Sequence, residues 1–215
     1  MTRVHYCYLS AELHEIIKDR YLHTFSMDFQ NRVGRFMRWQ DAQATILGRI
    51  LLFNILEKLE VEIPKIRCTK YGKPYFENSP WHFNISHSGD VVVCAVARDT
   101  ELGVDIEMIS DVDIFSFKQH MTPREWSLVV NAEDSQQSFF EYWTNKEAVL
   151  KADGRGLSVS LDSFDIIDGK SEIENEQFFF STIQIDTRYV CCVSQKSEIE
   201  DLSINEVNLD TILNL

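Results

Sequence analysis

Residues 143–157 read WTNKEAVLKADGRGL, and their spacing decides how the rest of the chain is read. Trp143, Glu147 and Lys151 fall four residues apart, so a helix through them presents an indole, a carboxylate and an ammonium along one stripe. Gly154 and Gly156 then stop the helix and permit a tight backbone turn beside that stripe. By itself the pattern is also ordinary scaffolding. A Glu four residues before a Lys is worth about 0.3 kcal/mol on a helix surface. Thr144 with Glu147, or Ser138 with Glu141, reads as a capping box, so two helix starts compete.

Upstream, the apolar run VVVCAVA (91–97) is short enough for a buried strand, and a turn leads from it to LGVDIEMI (102–109). In a strand, Asp105 and Glu107 share one face while Val104 and Ile106 point into the core. Two carboxylates so close repel unless a cation joins them. Mg²⁺ is the natural partner, because it takes carboxylate oxygens and leaves positions for phosphate and water. The plain alternative is a pair of acids on a solvent-facing strand.

Cations gather further upstream. FQNRVGRFMRWQDAQATILGRILLFNILEKLE (29–60) has long helical periodicity that Gly34 and Gly48 weaken without ending, with Phe36, Trp39, Ile46, Leu47, Ile50, Leu51 and Ile55 as expected core positions. Arg32, Arg35 and Arg38 step by three along it, which places them on one side. They read either as a solvated basic face or as a phosphate clamp, since guanidinium binds phosphate bidentately. In KYGKPYF (70–76), Lys73 sits between a residue of free φ and one of fixed φ. In FNISHSGD (83–90), His87 between Ser86 and Ser88 has the chemistry to donate to a phosphate oxygen.

With 215 residues, 44% of them hydrophobic, the chain can bury one large core or two smaller ones. A formal charge of −13 argues against broad nucleic-acid or anionic-membrane binding. No apolar run is long enough for a membrane span, and the first residues lack a signal-peptide apolar region, so the cytoplasm is the expected compartment. The five cysteines form no CxxC pair and read as packed thiols. Beyond Leu157 the expected strands are SFDIID, FFFSTIQI and YVCCV, with a turn at Asp168–Gly169, followed by a tail from Ser197 that is a strand or a loosely held end. Helix, glycine turn and strands ending in VVVCAVA are thus followed by helix, glycine turn and strands ending in YVCCV. This order predicts two related α+β halves, 1–102 and 103–215, with a cleft at their junction.

FNISHSGD, GVDIE and WTNKEAVLKADGRGL, in this order, resemble the 4′-phosphopantetheinyl transferases of the type that activates surfactin synthetase. The resemblance implies an α+β fold of two pseudo-symmetric halves with coenzyme A and Mg²⁺ bound between them. It also implies transfer of the phosphopantetheine arm to a serine of an apo acyl or peptidyl carrier protein, releasing adenosine 3′,5′-bisphosphate. By the same likeness Asp105, Glu107 and Glu147 are the metal-binding acids. Glu147 is also the candidate acceptor of the serine proton, with Lys151 on the pyrophosphate. Trp143 and Lys146 fall on the pantetheine side, Ser86 and His87 on the diphosphate, and Lys73 and Pro74 near the adenine nucleotide. Arg32 falls on the 3′-phosphate, with Arg35 and Arg38 as helpers by proximity. Thr45 falls on the coenzyme A side, but the residue before it, often basic in relatives, is Ala44. The 3′-phosphate clamp is therefore expected to be weaker or to be built from the upstream arginines.

The expected partners are coenzyme A and an apo carrier protein, with neither nucleic acid nor membrane, and the expected state is a monomer with an internal pseudo-two-fold. Ile114, Phe115, Phe117, Lys118 and Met121, in the connection from Met108 to Arg124, are the expected carrier-docking patch. A non-catalytic interaction protein of the same fold is the alternative, and the full set of acids with Lys151 stands against it. A Mg²⁺-dependent nuclease or phosphatase is opposed by the acidic composition.

Overall fold

The computed structural model describes residues 1–213. The chain opens with strand β1 (Thr2–Tyr8) and helices α1 (His14–Tyr21), α2 (Met27–Val33) and α3 (Trp39–Lys58). A hairpin of β2 (Ile66–Cys68) and β3 (Pro74–Phe76) leads into β4 (Trp81–Ser88) and β5 (Val91–Arg98). Then come β6 (Leu102–Met108), α4 (Pro123–Val130), α5 (Ser135–Asp153), β7 (Lys170–Ile173), β8 (Glu176–Ile183), β9 (Tyr189–Gln195), β10 (Leu202–Glu206) and α6 (Leu209–Leu213). Two four-stranded sheets result, ordered β10-β1-β5-β4 and β6-β9-β8-β7.

The unbroken apolar run of β5 has a direct cause: both of its faces are covered. Val92, Cys94 and Val96 share a core with Ile46, Leu47 and Leu51 of α3. Val91, Val93, Ala95 and Ala97 meet Val104, Ile106, Cys191 and Val193 of the second sheet. The two sheets therefore pack face to face, with α3 outside the first and α5 against the second. Each half is a long helix laid on a four-stranded sheet, antiparallel in the second and mixed in the first, which makes the halves pseudo-symmetric.

Three local features differ from the sequence reading. First, the helix expected from residue 29 onward breaks at Gly34, where α2 ends, and α3 restarts at Trp39. Glycine costs a helix about 1 kcal/mol relative to alanine, and the break lets Val33 and Phe36 both pack on the first core. The three arginines consequently occupy the end of α2, the turn and the N-cap of α3 rather than one helix side. Second, neither Ser138 nor Thr144 starts α5; Asp134 caps it, accepting from the Gln137 amide at 2.9 Å.

Third, SFDIID is not a strand. Leu161–Ser163 forms a 3₁₀ turn and Ile167 makes only a bridge to Lys170 around the expected Asp168–Gly169 reversal. The β7–β8 hairpin turns at Glu174 and Asn175, both at positive φ. The tail, read as a strand or a loosely held end, is a strand that crosses back. β10 pairs in parallel with β1, Thr2 against Leu202 through Tyr6 against Glu206. Val207, Leu209 and Leu213 enter the first core. The end of the expected 103–215 half therefore packs on residues 1–102. Among the described residues no helix is long and apolar enough to cross a membrane.

Candidate active site

β4 and β6 lie side by side in different sheets, and side chains rather than a backbone ladder join them. Alternate residues of β4 reach across, as the two-residue period of a strand requires. Asn84 Oδ1 accepts from the Val104 amide at 2.9 Å. Ser86 Oγ donates to Asp105 Oδ1 at 2.9 Å. Ser88 Oγ donates to Glu107 Oε2 at 2.9 Å and accepts from the Met108 amide at 3.0 Å. Asn84 and Ser88 were missed in the sequence as joining residues, although the polar alternation N-x-S-x-S was the available signal.

Because Val104 and Ile106 fill the core between the sheets, Asp105 and Glu107 face the other way, toward α5. There Trp143, Glu147 and Lys151 form the facing stripe, and together with Ser86 and His87 these side chains line one cleft. Lys151 Nζ lies 2.5 Å from Asp105 Oδ1 and 2.9 Å from Ser86 Oγ. Asp105 is only 3% exposed, and its Oδ2 has no hydrogen-bond partner among the described residues. Burial raises the pKa of both Glu107 and Glu147, the charge of Asp105 raises each further, and Lys151 opposes this. Asp105, with its orphaned buried oxygen, Glu107 and Glu147 are a donor set suited to a hard dication. They do not form a ready cage: among the described residues no three His, Cys, Asp or Glu groups converge closely enough to hold an ion. In this conformation the cation on Asp105 is the Lys151 ammonium.

His87 stands at the edge of the cleft. Loss of water around its ring lowers its pKa; Asp41 opposes this, while the charges of Lys151, Arg32 and Arg38 lower it further. Arg32, Arg35 and Arg38 are all exposed, at the end of α2, in the turn and at the start of α3, and the charges of Arg32 and Arg38 are the ones that reach His87. Thr45 is partly buried on α3. Ala44, 1% exposed, points into the first core rather than toward the cleft.

Lys73 and Pro74 line an adjoining pocket with Asn84, Glu147 and Lys151. The Lys73 ammonium crosses between the halves, donating to the Leu102 carbonyl at 3.2 Å and to the Ala152 carbonyl at 3.0 Å. It thereby satisfies an orphan carbonyl in the last turn of α5. Burial lowers its pKa to about 8.

Lys146 does not join the cleft. Adjacent residues on a helix diverge by about 100°, so with Glu147 facing the acids Lys146 faces inward. Its ammonium is fully buried, donating to the carbonyls of Leu161 at 2.7 Å and Phe164 at 2.5 Å and pairing with Glu125 at 2.9 Å. Glu125 in turn accepts from the Thr122 and Ile166 amides. Lys146 is therefore the centre of a buried polar knot holding α4 and the 161–166 segment against α5.

The expected docking patch is also partly turned inward, since Ile114 and Met121 are buried. Phe115, 68% exposed, packs edge-on against Trp126, and Lys118 lies over the same indole. Phe117 instead packs on Trp143, linking this surface to the cleft.

Sequence comparison reaches both halves of this architecture. The profile of the 4′-phosphopantetheinyl transferase superfamily matches residues 101–201, and that of the 4′-phosphopantetheinyl transferase N-terminal region matches residues 19–99. The 4′-phosphopantetheinyl transferase gsp of Aneurinibacillus migulanus is 33% identical over 215 residues, covering 92% of this chain and 90% of that protein. The 4′-phosphopantetheinyl transferase Sfp of Bacillus subtilis (strain 168) is 29% identical over 217 residues, covering 94% and 96%. The 4′-phosphopantetheinyl transferase psf-1 of Bacillus pumilus is 36% identical over 146 residues, covering 64% of this chain and 62% of that protein. This chain belongs to the 4′-phosphopantetheinyl transferase family.

Proposed function

We propose that this protein transfers the 4′-phosphopantetheine arm of coenzyme A to a serine hydroxyl of an apo acyl or peptidyl carrier protein in a Mg²⁺-dependent reaction, releasing adenosine 3′,5′-bisphosphate. The observation that carries this reading is the unpartnered buried Oδ2 of Asp105, set among Glu107, Glu147 and the Lys151 ammonium. Asp105, Glu107 and Glu147 would hold Mg²⁺, which when bound neutralises charge developing on the leaving phosphate. Lys151, exchanged off Asp105, is then free to pair with the pyrophosphate. Ser86 and His87 line the same cleft and donate to phosphate oxygens. With its pKa lowered, His87 does so as a neutral ring.

Glu147, on the α5 face that lines the cleft, accepts the serine proton, directly or through a water. The serine oxygen forms the new bond to the pantetheine phosphorus. The pyrophosphate P–O bond breaks, and its electron pair leaves with adenosine 3′,5′-bisphosphate. Residues 1–102 carry the nucleotide side, through Arg32, Thr45, Lys73 and Pro74. Residues from 103 carry the acids, Trp143 beside the pantetheine arm, and the carrier-docking surface around Phe115 and Trp126. One chain supplies both walls of the cleft, as expected of a monomer. The five free cysteines, four of them buried, suit the reducing cytoplasm.

Purified protein incubated with coenzyme A, Mg²⁺ and apo carriers is expected to raise a carrier's mass by one phosphopantetheine. No mass gain across acyl and peptidyl carriers overturns the reading.

A further inference from the structure

The reversal between β4 and β5 is tied to the second half of the chain from two sides. Ser88, the last residue of β4, uses its hydroxyl twice on β6: Oγ donates to Glu107 Oε2 at 2.9 Å and accepts from the Met108 amide at 3.0 Å. Behind it Gly89 takes a positive φ of 56°, and a Cβ built there would lie 2.7 Å from the Tyr189 hydroxyl and 2.8 Å from Met108 Sδ. Tyr189 is the β9 residue paired with Met108, and it is buried. Its hydroxyl accepts from the Asp90 amide at 3.2 Å and donates to Asp90 Oδ1. A second set of contacts at the same rim is made without Ser88. Tyr8 donates to Asp186 at 3.0 Å, and Arg188 pairs with Asp186 at 2.8 Å.

β4 and β6 are edge strands of different sheets, with no backbone ladder to hold their register. Beside Glu107 that register rests on a closed ring, from Ser88 to Met108, from Met108 to Tyr189, from Tyr189 to Asp90, and back along the turn to Ser88. A glutamate is long and flexible, and one already held by a hydrogen bond meets a cation with less loss of freedom. We infer that Ser88 and Tyr189 are positioning residues: Ser88 fixes the Glu107 carboxylate for the dication, and Tyr189 fixes the turn that carries Ser88. Each acts through Glu107, so the assignment rests on the proposed metal role of that residue.

The test is calorimetric titration of Mg²⁺ into protein saturated with coenzyme A, without carrier protein and after subtraction of a titration into coenzyme A alone. The wild type is compared with Ser88→Ala, Ser88→Thr, Tyr189→Phe and Tyr8→Phe, with urea unfolding to verify folding. Ser88→Ala weakens Mg²⁺ binding roughly tenfold, as losing the hydrogen-bond partner behind a metal ligand does. Ser88→Thr keeps the hydroxyl and retains most of the wild-type affinity. Tyr189→Phe keeps the ring and weakens Mg²⁺ binding by a smaller factor; it carries the test where Ser88→Ala fails to fold. Tyr8→Phe loosens the same rim and binds Mg²⁺ as the wild type does. In transfer assays excess Mg²⁺ restores kcat to Ser88→Ala and Tyr189→Phe. Unchanged Mg²⁺ binding in either folded variant overturns the assignment, and so does equal weakening in Tyr8→Phe, which marks a general loosening. A wild type that binds coenzyme A but no Mg²⁺ overturns the proposed metal role of Glu107, and this inference with it.

Discussion

Gly103 of β6 lies directly beneath the Ala148 carbonyl of α5, and a Cβ built on Gly103 would come under 3.0 Å from backbone atoms of Ala148, Lys151 and Ala152. This approach sets the height of Glu147 and Lys151 above Asp105 and Glu107. Gly103→Ala forces the helix off the strand, and overpacking of this kind costs about 1–3 kcal/mol. We expect a lowered urea midpoint together with loss of transfer activity; a wild-type midpoint contradicts the packing described.

Glu147→Gln is expected to stabilise the apo protein while lowering transfer roughly a hundredfold or more. The folded-state pKa of Glu147 is raised above its ordinary 4.5, so above that pH the folded state binds more protons than the unfolded one and stability falls as pH rises. Glutamine removes that cost. Its gain in urea midpoint is present at pH 7 and shrinks toward zero as the pH falls through the ordinary 4.5 to pH 4 and below. A gain equal at both pH values refutes the electrostatic cause.

Mg²⁺ without coenzyme A is expected to raise the thermal midpoint of the wild type in proportion to the logarithm of its concentration once the site is saturated. In Asp105→Asn the shift disappears. An identical shift in both proteins removes Asp105 from the metal site.

Breaking the buried pair by Glu125→Ala leaves the Lys146 ammonium without its carboxylate, which costs about 3–5 kcal/mol. Glu125→Leu combined with Lys146→Met recovers most of that loss. Denaturant curves for the three proteins decide it. If Lys146→Met alone leaves the midpoint intact but weakens coenzyme A binding, the residue is a ligand contact after all.

Lys73 gives a signature at alkaline pH. Its folded pKa of about 8 lies below the ordinary 10.5, so between those values the unfolded state binds more protons and stability rises with pH. Lys73→Met removes this slope from the urea midpoint plotted against pH. An unchanged slope shows that Lys73 is not the group responsible.

The acids and the helix stripe were legible because each belongs to a regular period. Asp105 and Glu107 are two apart on a strand whose intervening residues are buried, and Trp143, Glu147 and Lys151 are four apart on a helix. The halves could be read from the repeated order of elements. Lys146 could not be placed from the motif alone, since its partner Glu125 is distant in sequence. The break at Gly34 depended on packing of both flanking residues, which glycine propensity by itself does not decide.

The parallel pairing of β10 with β1 also orders events in time. On a chain emerging from the ribosome, β1 appears first, yet its outer edge stays bare until residues 202–206 arrive. The core under α3 likewise waits for Val207, Leu209 and Leu213. The wall of the cleft built from residues 1–102 therefore becomes rigid only after the wall built from β6 and α5 has been synthesised. An unfinished chain holds every acid of the site without the closed scaffold that aligns them.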